Sequence, residues 1–218
     1  WLGYITVHDI DATASQIGRC GGAVLLPPTD SNIGRVSVVA DPQKATFALV
    51  DGLTYGPRQL GGLDELGRVG WHELLAQDRN KVFDFYGELF GWQKDSGETD
   101  PAEFYQLFSS AGQTIGGMRT KLPSVPQPCW LYYFNVDDIG AAAERVNNGG
   151  GRMLQGPIEL SDGCWIARCV DPQGALFALQ GARGQRDAER PSTSEVAWSA
   201  KWGGIASQGR MVLPKPKR

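Results

Sequence analysis

Two stretches of this chain are copies of one another, and this internal repeat restricts the fold more than any other feature. Residues 1–10 read WLGYITVHDI and residues 130–139 read WLYYFNVDDI. Both copies continue through an alanine-bearing segment, a glycine cluster and a proline, and close with D-P-Q-x-A-x-F-A-L at 41–49 and 171–179. Order, spacing and turn residues are preserved together, so one structural unit is repeated.

The pattern within one copy predicts a strand, a helix and then further strands. Ile5 and Val7 alternate with polar residues, which is typical of a half-buried strand. Asp9 and its counterpart Asp138 are suited to cap a helix, because a carboxylate accepts the unpaired amide hydrogens of the first turn. The glycine clusters are expected to end the helix. The D-P-Q-G segment at 171–174 predicts a β-turn between the last two strands.

A third, diverged unit lies between the two copies. Its expected parts are a strand at 69–75, a helix cap at Asp78, an apolar helical stripe at 82–90, a helix end at Gly91, and strands at 104–108 and 114–118. The chain therefore contains three modules of the form βαβββ.

Three motifs give these modules a family resemblance. The segment F-Y-G-E-L-F-G-W at 85–92, V-D-D-I at 136–139 and D-P-Q-G at 171–174 resemble the vicinal oxygen chelate, or glyoxalase/bleomycin-resistance/dioxygenase, superfamily, and within it the tandem-domain glyoxalase-like proteins. The resemblance implies an α+β fold in which two modules pair into an open eight-stranded half-barrel around a cavity.

The resemblance also implies a division into domains. Residues 66–183 hold two modules and are expected to form one complete domain, joined by a linker at 53–65 to residues 1–52. Residues 1–52 hold a single module, the second half of a first domain. We expect its partner to be an upstream module lost by truncation; the alternative is a homodimer that closes the exposed sheet edge. Residues 184–218 are predicted to be a flexible tail.

Charge and cysteine usage exclude several classes of protein. The formal net charge is −3 and no basic stripe is present, which argues against nucleic-acid binding. No apolar run is long enough to cross a bilayer, so no membrane partner is expected. The four cysteines form no C-x-x-C pair, which favours reduced thiols in a cytoplasm.

The residues at the family's metal positions do not suit a metal. Family enzymes use His or Glu on the first strand and Glu on the last strand of each module. By motif alignment the first-strand positions are Leu2, Trp71 and Leu131, and the last-strand positions are Ala48, Gly116 and Ala178. No cofactor is therefore expected. A divalent metal held by His72 is the alternative, and it requires a one-residue register shift; otherwise His72 packs beneath the helix with one nitrogen hydrogen-bonded.

Strand alternation from the same motifs predicts the cavity lining. Besides Leu75 and Leu131, the side chains expected to contact a substrate are Trp71, Glu73, Gln77, Tyr133 and Asn135. Glu73 is the candidate catalytic residue, because a carboxylate against apolar neighbours would have its pKa raised and could act as a general base. The alternative is a structural ion pair with Arg119 or Arg168.

Three functional classes remain open. The first is a glyoxalase/bleomycin-resistance-like protein that binds a small organic molecule without metal. The second is a metal-dependent, lactoylglutathione-lyase-like or related enzyme acting on an α-oxoaldehyde or thiol adduct. The third is a structural or interaction protein with vestigial cavities. The missing ligand residues favour the first class over the second.

Overall fold

Three βαβββ modules account for every helix and strand in the described part of the computed structural model, which covers residues 1–53, 62–95, 105–121, 123, 125–160 and 163–184. The first module contains β1 (Tyr4–Thr6), α1 (Ile10–Arg19), β2 (Ala23–Ser31), β3 (Gly34–Ala40) and β4 (Thr46–Asp51). The middle module contains β5 (Val69–Ala76), α2 (Arg79–Phe90), β6 (Gln93–Lys94), β7 (Gln106–Ser110) and β8 (Gln113–Thr120). The last module contains β9 (Cys129–Val136), α3 (Ile139–Asn148), β10 (Arg152–Glu159), β11 (Trp165–Val170) and β12 (Leu176–Gly181).

The modules share one strand arrangement. In each, the first strand pairs parallel with the last, as β1 with β4, β5 with β8 and β9 with β12. The first module is a four-stranded sheet of order β1-β4-β3-β2, and the other two supply a sheet of order β10-β11-β12-β9-β5-β8-β7-β6. Both sheets are open, so the predicted α+β class and the open eight-stranded sheet are confirmed.

The chain forms two compact units. One unit contains Trp1–Gly62 and His72–Leu131, and the other contains Leu63–Trp71 and the chain from Tyr132 onward. The predicted domain boundaries stay a prediction. Residues 185–218 of the predicted tail and residues 54–61 of the predicted linker lie outside the described residues. No helix in the described ranges is long and apolar enough to cross a membrane.

Each helix begins at the predicted aspartate. Asp9, Asp78 and Asp138 have extended backbones and accept hydrogen bonds from amides in the first turn of α1, α2 and α3. These amide hydrogens hold the pKa of Asp78 and Asp138 below the usual range. Helix α2 ends at Gly91, whose φ of 66° lies in the left-handed region that glycine tolerates best. The caps that the sequence indicated are confirmed.

The D-P-Q segments form tight turns, as predicted. In the last module Asp171 Oδ1 accepts from the amides of Gln173 and Ala175, both at 2.9 Å. In the first module Asp41 Oδ1 accepts from the amides of Gln43 and Ala45, at 2.8 and 2.9 Å. The aspartate side chain therefore closes each turn.

The turn of the first module is fastened to the start of helix α2. Gln43 Nε2 donates to the carbonyl oxygen of Asp78 at 2.7 Å, and the amide of Asp78 donates to Gln43 Oε1 at 2.9 Å. The Tyr86 hydroxyl donates to Asp41 Oδ2 at 2.9 Å and accepts from Trp130 Nε1 at 3.1 Å. Burial raises the pKa of Asp41, although these hydrogen bonds oppose the shift. One short turn thus holds two modules of the same unit together.

We expect Gln43→Ala to lower the free energy of unfolding by about 1–2 kcal/mol, because the backbone amide and carbonyl of Asp78 lose their side-chain partner. Gln173→Ala is the matched control, since Gln173 has the same place in the last module and is exposed. Its effect should stay within about 0.5 kcal/mol. Urea denaturation followed by circular dichroism measures both. Equal effects of the two substitutions would contradict the fastening role of Gln43.

Candidate functional site

Helix α3 covers one face of the last module's sheet, and the candidate site residues of this module lie on the other face. Ile139 and Ala142 of α3 pack with Ala167, Cys169 and Leu179 in one buried cluster, joined by the partly buried Phe134 and Val136. Burial raises the pKa of the Cys169 thiol to about 11. Because side chains alternate along a strand, Tyr133, Asn135 and Arg168 point to the opposite face. This agrees with the facing expected for Tyr133 and Asn135.

A row of four side chains crosses the face of the last module's sheet that lies opposite helix α3. Register pairs Tyr133 with Ala178, Ala178 with Arg168, and Arg168 with Gln155. Arg168 Nε and Nη2 each donate to Tyr133 Oη at 3.2 Å, and Nη1 donates to Gln155 Oε1 at 3.1 Å. Ala178 is fully buried and contributes only a methyl group. The guanidinium of Arg168 and the phenol of Tyr133 therefore meet above Ala178, in space that a larger side chain at position 178 would occupy.

Asn135 is engaged in holding the chain that leads into β5. Its Nδ2 donates to the carbonyl oxygens of Leu63 and Glu65 at 2.7 and 2.9 Å, and its Oδ1 accepts from Gln180 Nε2 at 2.7 Å. The side chain is 7% exposed. These three bonds use both hydrogens of the Asn135 side-chain amide. A substrate could therefore be bound only by Asn135 Oδ1, acting as an acceptor. The binding role of Asn135 stays a prediction.

In the middle module the corresponding row contains Glu73, Gly117 and Leu107. Glu73 is 1% exposed, and it faces Gly117 across the parallel pair of β5 and β8. Gly117 lacks a side chain, and the ring of Tyr105 fills the space that a Cβ would occupy there. Glu73 and Tyr105 thus lie on one face of this module. The catalytic role of Glu73 stays a prediction.

The assignment of Gly116 to the last-strand position was wrong. In the first and last modules this position lies opposite the residue five places before the helix cap, as Ala48 does opposite Tyr4 and Ala178 opposite Tyr133. The same rule in the middle module gives Gly117 opposite Glu73. The middle module joins β7 and β8 through only two residues, Ala111 and Gly112, and so lacks the D-P-Q turn used as an anchor.

His72 lies on the helix side of the sheet. It pairs in register with Gly116, which pairs with Phe108, and Phe108 stacks on Trp92 at 4.7 Å between ring centroids. Trp92 in turn stacks on Tyr86 of α2 at 5.2 Å. His72 Nδ1 donates to the carbonyl oxygen of Ile115 at 2.9 Å, and burial lowers the pKa of the ring. The predicted packing of His72 beneath the helix is confirmed.

The remaining predicted residues differ in burial. Trp71 is half-buried on β5, whereas Leu131 is buried on β9. Gln77 lies one residue beyond the end of β5 and is exposed. Sequence reasoning missed Gln155, Gln180 and Tyr105 as members of these faces, and it considered Arg168 only as a partner of Glu73. Side chains alternate between the two faces of a strand, so counting back from Asp171 along β11 places Arg168 on the face opposite helix α3. The position of Arg168 could therefore have been predicted from the sequence.

The residues of this chain do not fit the metal site that the family's enzymes carry. Within the described ranges no three His, Cys, Asp or Glu side chains are grouped so as to hold an ion. The guanidinium of Arg168 lies beside the last-strand position Ala178, where its charge would repel a divalent cation. At the equivalent Gly117 the ring of Tyr105 occupies the space. The expectation that no metal is used remains a prediction.

Comparison with known proteins identifies the family. Residues 68–179 match the model of the Glyoxalase/Bleomycin resistance protein/Dioxygenase superfamily. A protein of Mycobacterium tuberculosis named as a glyoxylase, CFP32, is 32% identical over 183 residues, which cover 82% of this chain and 68% of that protein. The anthracycline biosynthesis protein DauV of a Streptomyces species is 30% identical over 188 residues, 82% of this chain and 64% of its own length. The chain belongs to this superfamily.

Solved structures show the same fold at low sequence identity. A Mn(II)-bound glyoxalase from Novosphingobium aromaticivorans has a TM-score of 0.57 and 14% identity, over 83% of this chain and 62% of that one. Homoprotocatechuate 2,3-dioxygenase from Brevibacterium fuscum has a TM-score of 0.54 and 13% identity, over 83% and 61%. This chain spans less than two thirds of either structure, and the likeness is one of fold.

We expect Gly117→Ala to lower the free energy of unfolding by about 1–3 kcal/mol, because the new methyl group would overlap the Tyr105 ring. In a Tyr105→Ala background the same substitution should cost less than about 1 kcal/mol. A double-mutant cycle in urea measures this coupling. Additive effects would show that the ring does not occupy the space above Gly117.

Proposed function

We propose that this protein binds a small organic molecule bearing a carbonyl or carboxylate oxygen, without a metal ion, on the face of the last module's sheet that lies opposite helix α3. The observation that carries the proposal is the Arg168–Tyr133 pair over Ala178. In the family a cation at such a position would be a metal; here the positive charge belongs to a side chain.

The geometry of the pair supports this assignment. Two nitrogen atoms of one guanidinium bind the same phenol oxygen, and Gln155 binds a third, so Arg168 is held in one orientation before any ligand arrives. A preorganised donor loses little conformational entropy on binding. Guanidinium groups also match the oxygen atoms of planar carbonyl and carboxylate groups well. The site can therefore hold an oxygen-bearing ligand by hydrogen bonds and charge.

The names of the relatives indicate which ligands to try first. One relative is named as a glyoxylase and another as an anthracycline biosynthesis protein. We therefore choose as probes the glutathione hemithioacetal of methylglyoxal and an anthracycline. Both carry the oxygen functions that a guanidinium can bind.

We expect protein freed of metal by EDTA to bind at least one probe, with a rise in melting temperature and a calorimetric titration unchanged by prior chelation. Arg168→Ala should weaken binding about tenfold or more, the loss of roughly 1.4 kcal/mol or more. Arg152→Ala is the control, because Arg152 is an exposed arginine on β10.

The outcomes of this experiment separate the candidate functions. Binding that disappears on chelation, with about one metal ion per chain by elemental analysis, would replace the proposal with the metal-dependent alternative. If Arg168→Ala leaves the binding affinity unchanged, the ligand binds at a site that does not include Arg168. Absence of binding by every probe would favour the structural or interaction protein.

The alternative function is a glyoxalase-like lyase, and the buried carboxylate of Glu73 is the observation that favours it. If the protein turns over the hemithioacetal, Glu73→Gln should abolish turnover while the melting temperature changes little, since Gln keeps the shape of the side chain. Glu88→Gln on α2 is the control. Full activity of Glu73→Gln would end the proposed base role.

We further propose that the protein acts in the cytoplasm. All four cysteines are thiols in the structure, and a reducing compartment keeps them so.

A further inference from the structure

A second pair of polar side chains lies beside the Arg168–Tyr133 pair on the same face of the last module. Gln180 on β12 is in register with Asn135 on β9, and Gln180 Nε2 donates to Asn135 Oδ1 at 2.7 Å. Gln180 lies two residues beyond Ala178 on the same strand, so the two side chains point to the same face. We call Asn135 and Gln180 the amide pair. The site proposed above does not include Gln180.

The amide pair is fixed in position, and part of the Gln180 amide is available to a ligand. Asn135 is held by its bonds to the carbonyl oxygens of Leu63 and Glu65. Gly70 lies so close that a Cβ at position 70 would overlap both amides of the pair. Gln180 is partly exposed, and within the described residues its Oε1 takes part in no hydrogen bond. Because a glutamine amide has two hydrogens and an acceptor oxygen, Gln180 can both donate to a ligand and accept from it.

The amide pair is found in the same module as the Arg168–Tyr133 pair. The corresponding register pairs are Thr6 with Val50 in the first module and Leu75 with Arg119 in the middle module. Val50 and Leu75 are buried apolar residues. The guanidinium–phenol pair and the amide pair therefore occur together, as expected if they contact one ligand.

The strand geometry sets the distance between the two polar groups. Ala178 and Gln180 are two residues apart on an extended strand, which separates their Cα atoms by about 7 Å. The guanidinium and the phenol meet above Ala178. A ligand that contacts both groups therefore needs two polar functions separated by about the width of one six-membered ring.

We propose that Gln180 is a second ligand-binding residue of this site, and that it selects ligands with a hydroxyl group across one ring from the oxygen bound by Arg168. The inference rests on the proposed function, because Arg168 supplies the first contact. A hydroxyl group beside Gln180 can donate to Oε1 and accept from Nε2. An apolar group in the same place would cover the amide without satisfying it, which costs affinity. Asn135 is the positioning residue that holds Gln180.

Nuclear magnetic resonance titration with benzoate, 4-hydroxybenzoate and 4-methylbenzoate tests this inference, since the three acids differ only in the group across the ring from the carboxylate. We expect 4-hydroxybenzoate to bind about tenfold more tightly than 4-methylbenzoate. Gln180→Leu should abolish this preference and change the Kd of benzoate by less than about twofold. Gln173→Leu is the matched control, because Gln173 is an exposed glutamine of the same module, and it should keep the preference.

The results separate this inference from the proposed function. Equal binding of 4-hydroxybenzoate and 4-methylbenzoate by the wild-type chain would overturn the inference, as would a preference that survives Gln180→Leu. In both cases the proposed function stands if Arg168→Ala weakens the binding of benzoate. Failure of all three acids to bind would overturn the inference and the proposed function together. Circular dichroism melting checks folding, and Gln180→Met, which keeps the length of the side chain, replaces Gln180→Leu if that variant unfolds.

Discussion

The parallel pairing of the first and last strands is the constraint on which each module depends. It brings the residue five places before the helix cap opposite one position of the last strand, and that position is always small: Ala48, Gly117 or Ala178. A small residue on the last strand lets the side chains of the two neighbouring strands meet above it. The chemistry of those neighbouring side chains therefore sets the chemistry of the face in each module.

The three modules use this common frame in different ways. In the last module a guanidinium and a phenol meet over Ala178, which makes the face polar and positively charged. In the middle module a buried carboxylate lies opposite Gly117, under the ring of Tyr105. In the first module valine and leucine replace the polar groups, and the face becomes apolar. The three modules thus keep one backbone arrangement, while the residues along this row change the face from polar and charged in the last module to apolar in the first.

In the described residues the fold of the superfamily occurs without a group of three side chains that could hold a metal ion. A divalent ion needs several converging anionic or imidazole ligands. Here the first-strand and last-strand positions hold apolar or small residues, and an arginine occupies the neighbourhood of one of them. A side-chain cation cannot activate a water as a metal does, but it can orient an oxygen-bearing ligand. This difference in chemistry underlies the proposal of a binding protein.

The sequence by itself determined the modules, their helix caps and their turns, because these depend on residues close together in the chain. Asp9, Asp78 and Asp138 cap their helices through amides two or three residues away, and Asp171 closes its turn through amides two and four residues away. The side of the sheet on which His72 lies also followed from its separation from Asp78 in the sequence, because the alternation of side chains along a strand is a local property.

Tertiary structure alone decided which strands' side chains meet. The error at Gly116 arose because the middle module has a two-residue connection where its relatives have the D-P-Q turn, so counting from a motif shifted the register by one residue. The amide of Asn135 is taken up by Leu63 and Glu65, some seventy residues earlier in the chain. Register between distant strands and contacts across such separations follow from packing, and no local pattern encodes them.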